Sequence, residues 1–474
     1  MIQLLTASTL FQAASLAAML DDGLLGAAER RVLVLANGSQ QPELTTAIQD
    51  APGFSSLARR FDAVVDLGAL VWPRRPQAFN PREEELGMWE SLLRLAWDLG
   101  DAPLELVLDS IQVNPAIALA RIFHDASVGL HSDGLMAYGP TRNRLRFPIA
   151  QRLGFLAYAD LVPGLRPVLL REHGIELRPL EPGRLRAVMD ELGAAATPSP
   201  GLDGLLTSSR PTALLLGQYL VPLGVLDEEE QAELDGSMLQ LASRLGAEAV
   251  AFKPHPSAAP GSGDRLLGQA SELGLHLTVL EDDVPAEVLM GWMSPLAVVS
   301  GFSTSLFTAT GLYGRPAHAV MTEFVAERLT PYENGNRVPV VLADAVLSGR
   351  LPAGDERLQG LVDAVAYAMR AHLHPELAEA AAAFLAAEPE LRDRYVKQKR
   401  LRALGLPHRE DTRGPGRAHR LVHSVVRHPA LADRTLEAVN AIRAPGGLAC
   451  APRKVAGKVG SHLVTWSKKG QRRP

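Results

Sequence analysis

The sequence predicts a layered α/β protein, with two successive Rossmann-like halves facing a cleft and a basic C-terminal tail. Three observations predict it. Short apolar runs alternate with helical stretches, the pattern of repeated βα units. The alternation halts in an Ala-, Pro-, Gly- and Ser-rich segment, 194–211, and then restarts. Charge also changes sign along the chain: residues 391–474 hold 20 Lys+Arg against 5 Asp+Glu, whereas residues 1–390 hold 28 against 48. With 474 residues the chain exceeds one compact core, so the expected divisions are 1–200, 201–390 and 391–474.

The elements follow in order. The opening run MIQLLTASTLFQAASLAAML is apolar, has no basic residues before it and breaks at Asp21-Asp22-Gly23. It predicts a strand and a helix over Thr9–Leu20, and not a signal peptide. Buried strands are expected at Val32–Leu35, Ala63–Asp66, Leu104–Leu108 and Ser127–Leu130, with a helix over Glu84–Leu99. Residues 194–211 read as a linker. Strands resume at Ala213–Leu216, Ala249–Phe252, Leu277–Leu280 and Ala297–Ser300. The acidic run Asp227–Glu230 opens a helix, where its charge favours the helix dipole. Residues 355–390 read as helices able to pack back across the first half.

Composition narrows the class. The single cysteine, Cys450, excludes an internal disulfide and fits a reducing, cytoplasmic setting. No run is long enough to span a bilayer. Sparse aromatics and an acidic body argue against nucleic acid as a partner. The tail, with Lys468-Lys469 and Arg472-Arg473, reads either as a solvated terminus or as a segment drawn to an anionic membrane surface or polymer. No phosphate-binding Gly-Lys loop, dinucleotide fingerprint or metal-ligand spacing is present, so neither a cofactor nor a metal is expected.

Open α/β sheets hold ligands outside the carboxyl ends of their strands, and three such ends carry candidate chemistry. After Ser127–Leu130 come His131-Ser132-Asp133-Gly134. Asp133 there can act as general base on a sugar hydroxyl while Gly134 takes a turn conformation; Asp-Gly is also a common turn. After Ala249–Phe252 come Lys253-Pro254-His255-Pro256. Flanking prolines hold the His255 loop rigidly, and the imidazole can neutralise a phosphate or supply a proton to it. Residues 1–390 contain 27 arginines and one lysine, Lys253, which points to a need for a compact ammonium beside His255. After Ala297–Ser300 comes Gly301-Phe302-Ser303-Thr304, where Ser303 reads as an N-cap and the hydroxyls can cradle a phosphate or simply cap the helix.

The order of these motifs resembles that of bacterial sialyltransferases with the GT-B fold: an acidic residue and glycine, then His-Pro, then paired hydroxyls. The alpha-2,8-polysialyltransferase-like family is the nearest likeness. Longer stretches resemble its actinobacterial branch: residues 109–115 (DSIQVNP), 133–142 (DGLMAYGPTR), Gly217-Gln218-Tyr219 and 331–337 (PYENGNR). The resemblance covers roughly residues 1–390. It implies a metal-independent, inverting transferase that moves sialic acid or a related nonulosonic acid from a CMP-activated donor to a cell-envelope glycan. Asp133 would be the base. His255 would contact the CMP phosphate, with Gly134, Gln218, Lys253, Pro256, Ser303 and Thr304 lining the substrate site. The sequence departs from the family pattern at Ser132, where an acidic residue is usual, and has Thr304 as the second hydroxyl. Two other readings remain at this point: a GT-B transferase or epimerase using a UDP-sugar, and a non-catalytic glycan-binding protein of the same fold.

Overall fold

The computed structural model describes residues 1–39, 45–258 and 261–409. The chain divides into two compact units, Met1–Val396 and Lys397–Pro474. In the second, the described part is a helix, Gln398–Leu404, ended by Gly405 in the left-handed conformation. The basic clusters expected to meet a membrane, Lys468-Lys469 and Arg472-Arg473, lie outside the described residues.

Within the first unit, twelve described strands form two all-parallel sheets. The first contains β1 (Ile2–Ala7), β2 (Arg30–Leu35), β3 (Ala63–Asp66), β4 (Leu104–Leu108), β5 (Ser127–Ser132), β6 (Leu153–Ala159) and β7 (Glu176–Leu180). The second contains β8 (Thr212–Leu216), β9 (Ala249–Lys253), β10 (His276–Val279), β11 (Val298–Ser300) and β12 (Ala317–Ala319). Their orders are β3-β2-β1-β4-β5-β6-β7 and β10-β9-β8-β11-β12. Strand order therefore reverses beside β1 in one sheet and beside β8 in the other, the place where doubly wound sheets open a crevice for ligands. The two Rossmann-like halves make the expected GT-B architecture.

Strands buried on both faces read as continuous apolar runs, which is why those of both sheets' centres were visible in the sequence. All of β1 is buried, as are five of the six residues of β5. Three strands were not expected. β7 carries Pro179 and two charged residues, exposed Glu176 and half-buried Arg178, the signature of an edge strand, and β12 is only three residues long. β6 was overlooked although it is largely buried. β5 contains an irregularity at Val128/Gly129, where the Phe155 ring of β6 lies across Gly129; a Cβ there would stand 2.2 Å from the ring. Glycine thus lets β5 pack flat against β6 just before Asp133.

The segment 194–211 is not an irregular linker. It completes a helix, Pro182–Ala195, and forms another, Pro200–Leu206. Ser199 caps the second and is held by Asp282 through both its backbone N–H and its hydroxyl, each at 2.7 Å. The helix expected over Glu84–Leu99 runs over Leu86–Ala96 after a 3-10 turn, and Thr9 caps Leu10–Asp21. Asp227 and Glu230 form a reciprocal capping box on helix Glu228–Arg244.

The helices Arg357–Arg370, Ala378–Ala387 and Pro389–Tyr395 return to the first half. Gln359 accepts from the Arg166 N–H at 2.8 Å, and Arg171 pairs with Asp363 at 2.9 Å. Asp344 anchors the end of this return. Burial would raise its pKa, but hydrogen bonds from Arg394, Thr322 and Tyr395 outweigh that and hold it at about 2. Residues 391–396, counted with the tail from charge alone, are therefore built into the compact unit.

Candidate functional site

The first-half side of the site forms where β1, β4 and β5 end. Asp109, directly after β4, accepts from the hydroxyls of Thr6 at 2.8 Å and Ser8 at 2.6 Å. His131, near the end of β5, places Nε2 2.8 Å from the Thr6 carbonyl oxygen. Asp133 follows, half-buried, with the Gln12 side chain hydrogen-bonded to it. Burial pushes the Asp133 carboxyl above the ordinary range. The negative charge of Asp109 adds to this, while His131, the backbone N–H of Asp133 and Gln12 oppose it. A carboxylate whose proton affinity is raised by desolvation is suited to taking a proton from a hydroxyl.

Gly134 is extended, with φ −150° and ψ −175°, and does not take the expected turn conformation. Its missing side chain is used differently. A Cβ on Gly134 would stand 2.9 Å from Thr304 Oγ1, and the Leu135 N–H is 3.4 Å from that same oxygen. Asp133-Gly134 and Ser303-Thr304, separated by about half the fold, therefore meet across the cleft.

The second-half side forms after β8, β9 and β11. Gln218 gives its carbonyl oxygen to the Phe302 N–H at 3.1 Å, and a Cβ on Gly301 would come within 2.3 Å of that oxygen. The loops after β8 and β11 are thereby locked together. Ser303 is not the N-cap: the helix Ser305–Gly311 starts after Thr304, and Ser303 Oγ accepts from the Ser305 N–H at 3.2 Å. Its hydroxyl proton is left to point elsewhere.

Lys253 ends β9 and donates from Nζ to the Asp282 carbonyl at 2.9 Å. Burial lowers its pKa, while Asp283, Asp282 and Glu287 pull it back up. His255 stacks on Tyr219, ring centres 5.5 Å apart, and its Nδ1 accepts from the Ser257 N–H at 3.0 Å. The proton of the neutral ring consequently sits on Nε2. Burial, and then the charge of Lys253, push His255 down to about 4. At neutral pH the free protein thus presents His255 as an uncharged N–H donor beside Lys253. Pro256 is exposed and lies within the turn that the Ala258 N–H closes onto the His255 carbonyl at 2.8 Å.

Glu287 joins the two sides. It is buried, accepts from the Thr308 hydroxyl at 2.6 Å, and feels the charge of Asp133. Burial leads in pushing its carboxyl up. Neither Glu287 nor Asp109 was singled out by type. Asp109 could have been found from its place immediately after a strand; Glu287, inside helix Ala286–Met293, gave no such signal. Among the described residues there is no group of three or more His, Cys, Asp or Glu side chains arranged to hold a metal ion.

Comparison with known proteins adds the following. The family described as alpha-2,8-polysialyltransferase (POLYST) matches residues 3–322. No curated protein matches the chain. Similar solved structures include the GT-B domain of a sialyltransferase from Photobacterium damselae, at 11% identity and TM-score 0.38, covering 72% of this chain and 96% of that one. Heptosyltransferase WaaC of E. coli shows 13% identity and TM-score 0.31, with 67% and 88% covered. UDP-GlcNAc 2-epimerase from Methanocaldococcus jannaschii shows 10% identity and TM-score 0.38, with 73% and 92% covered. These neighbours have different chemistries, and none of them fixes a donor for this chain.

The His255 environment generates a direct test. In the ligand-free protein, NMR titration of His255 should show a midpoint near pH 4, because burial and Lys253 both disfavour the imidazolium. Lys253→Met should move that midpoint upward without restoring the ordinary value, since burial remains. A midpoint at 6.5 in the unsubstituted protein would contradict this environment.

Proposed function

Because the chain belongs to the alpha-2,8-polysialyltransferase family, we propose that it moves sialic acid or a related nonulosonic acid from a CMP-activated donor onto a hydroxyl of a cell-envelope glycan. The observation that carries this reading is the meeting of Asp133-Gly134 with Thr304 across the cleft. It puts a desolvated carboxylate opposite a site with a lysine, an imidazole N–H and a serine hydroxyl. A sialyl transfer needs those two halves: a base for the acceptor hydroxyl, and hydrogen-bond donors for the phosphate that departs with CMP.

In this mechanism Asp133 removes the proton as the acceptor oxygen attacks the anomeric carbon, and attack from the face opposite the nucleotide inverts configuration. His255 Nε2–H, the Ser303 hydroxyl and Thr304 hold the phosphate, and the nearby Lys253 ammonium offsets its charge. Gln218 keeps the loop carrying Ser303 in place, Gly134 permits the close approach, and Pro256 fixes the chain after His255. Donors already aimed at the leaving group stabilise developing charge without reorganising, which is where most of the rate gain should arise. A departing nucleoside monophosphate carries less charge than a diphosphate, so the mechanism needs no divalent ion.

A nucleotide-release assay tests the reading. With a CMP-activated nonulosonic acid and a glycan acceptor, the protein should release CMP at an unchanged rate after EDTA is added. Asp133→Asn should fold normally and lose about a hundredfold or more in turnover. Near-normal transfer by that variant would remove Asp133 as base. Release from UDP-sugars and not from CMP-sugars would replace the donor.

The charge asymmetry supports a peripheral position at the inner face of the cell membrane. Among the described residues no helix is long and apolar enough to cross a membrane. Residues 391–474 carry a balance of +15, and a Lys or Arg near an anionic leaflet contributes about 1 kcal/mol. The full-length protein should co-sediment with phosphatidylserine vesicles at low salt and dissociate as salt rises. If it ignores such vesicles even at low salt, the tail has no membrane role.

A further inference from the structure

Glu287 has no task in that mechanism, although it contacts the helix that follows Ser303 and Thr304. It is 2% exposed, and no lysine or arginine among the described residues forms an ion pair with it. A buried carboxyl without such a partner costs stability, and an apolar side chain would pack there at less cost. A glutamate in this position therefore calls for a reason other than stability.

Its contacts supply one. Glu287 accepts from the Thr308 hydroxyl at 2.6 Å. Thr308 belongs to helix Ser305–Gly311. In that helix the Leu306 N–H donates to the Ser303 carbonyl at 3.1 Å, and the Phe307 N–H to the Thr304 carbonyl at 2.9 Å. The two hydroxyl-bearing residues are thus continuous with the turn that Glu287 grips. At its other end the same loop is held by Gln218, through the Phe302 N–H at 3.1 Å. Glu287 also follows closely on Asp282, whose carbonyl receives Lys253 Nζ at 2.9 Å. The segment 282–287 therefore holds Lys253 at one end and the helix behind Ser303 and Thr304 at the other. Thr308 does not need Glu287 as its partner, since its hydroxyl also reaches the Ser305 carbonyl at 3.1 Å. The contact consequently fixes where the helix sits, and not whether it forms.

We propose that Glu287 is a positioning residue for the nucleotide phosphate, acting through Thr308 to hold Ser303 and Thr304 in register with Lys253. This rests on those residues binding the donor. Glu287 itself touches neither phosphate nor acceptor. It sets the separation between the two hydroxyls and Lys253 Nζ, so that one phosphate meets them without movement of either loop. Donors held in place beforehand stabilise developing charge best. A loop free to shift would bind CMP more weakly and would assist its departure less.

Calorimetric titration of CMP into variants of this contact tests the role. Glu287→Met replaces the carboxyl by an unbranched apolar chain. It should bind CMP about tenfold more weakly, the scale of one lost hydrogen bond. Its melting temperature should stay the same or rise, and KM for the acceptor should not change. Glu287→Gln keeps an oxygen for Thr308 and should restore most of the affinity. Thr308→Val should reproduce the loss, and the double variant should be no weaker than either single one, because both cut the same contact. Unchanged CMP affinity in Glu287→Met, no recovery in Glu287→Gln, or additive losses in the double variant would overturn the positioning role. If Glu287→Met does not fold, Thr308→Val decides: weaker CMP binding supports the role and unchanged binding overturns it. Failure of the unsubstituted protein to bind CMP would instead overturn the donor reading, and this role with it, so the two failures are distinguishable.

Discussion

The site depends on one close approach. Thr304 reaches the backbone at Gly134 and Leu135, and only a residue without a side chain leaves room for it. That contact brings the chain just after β5 in the first sheet against the loop that follows β11 in the second. Each half by itself is an ordinary doubly wound sheet. Brought together at this point, they place Asp133 on one wall and the Lys253–His255 and Ser303–Thr304 loops on the other.

Desolvation then determines what the walls can do. Asp133 and Glu287 are pushed toward their protonated forms, and Lys253 and His255 toward their neutral forms. These tendencies are opposed locally: His131 and Gln12 stabilise the Asp133 carboxylate, and Asp282, Asp283 and Glu287 stabilise the Lys253 ammonium. The result is a cleft whose charges are few, near one another and poorly hydrated. An arriving phosphate or hydroxyl meets groups that are already oriented, which is the condition for strong electrostatic catalysis. Positioning residues do much of this work. Gln218 fixes one loop against another, and Thr6 holds both Asp109 and His131.

Much of this was legible in the sequence for a physical reason. Central strands buried on both faces are written as apolar runs, so β4, β8 and β9 could be placed closely, and the motifs at their ends followed. The edge strands β7 and β12 were harder. β7 breaks its run with Pro179, and β12 is too short to show any period. The segment 194–211 looked like a linker because Pro, Gly and Ser dominate it, yet Ser199 and Pro200 are there to start a helix. Conformation at single positions was least accessible. Gly134 suggested a turn, whereas its use is steric, and Ser303 sits one residue before the position it was expected to occupy. Glu287 shows the limit most clearly: a glutamate inside a helix carries no mark of burial until its neighbour Thr308, 21 residues away, is known.

The central claim is a division of labour across the cleft, with the second half binding the nucleotide phosphate and Asp133 acting only on the acceptor. Calorimetric titration of CMP into the unsubstituted protein, His255→Ala and Asp133→Asn measures that division directly. Removing a charge-assisted phosphate contact costs about 1.5–3 kcal/mol, so His255→Ala should weaken CMP binding roughly tenfold to a hundredfold. Asp133→Asn should bind CMP as the unsubstituted protein does. Unchanged affinity in His255→Ala, or an equal loss in both variants, would contradict the account.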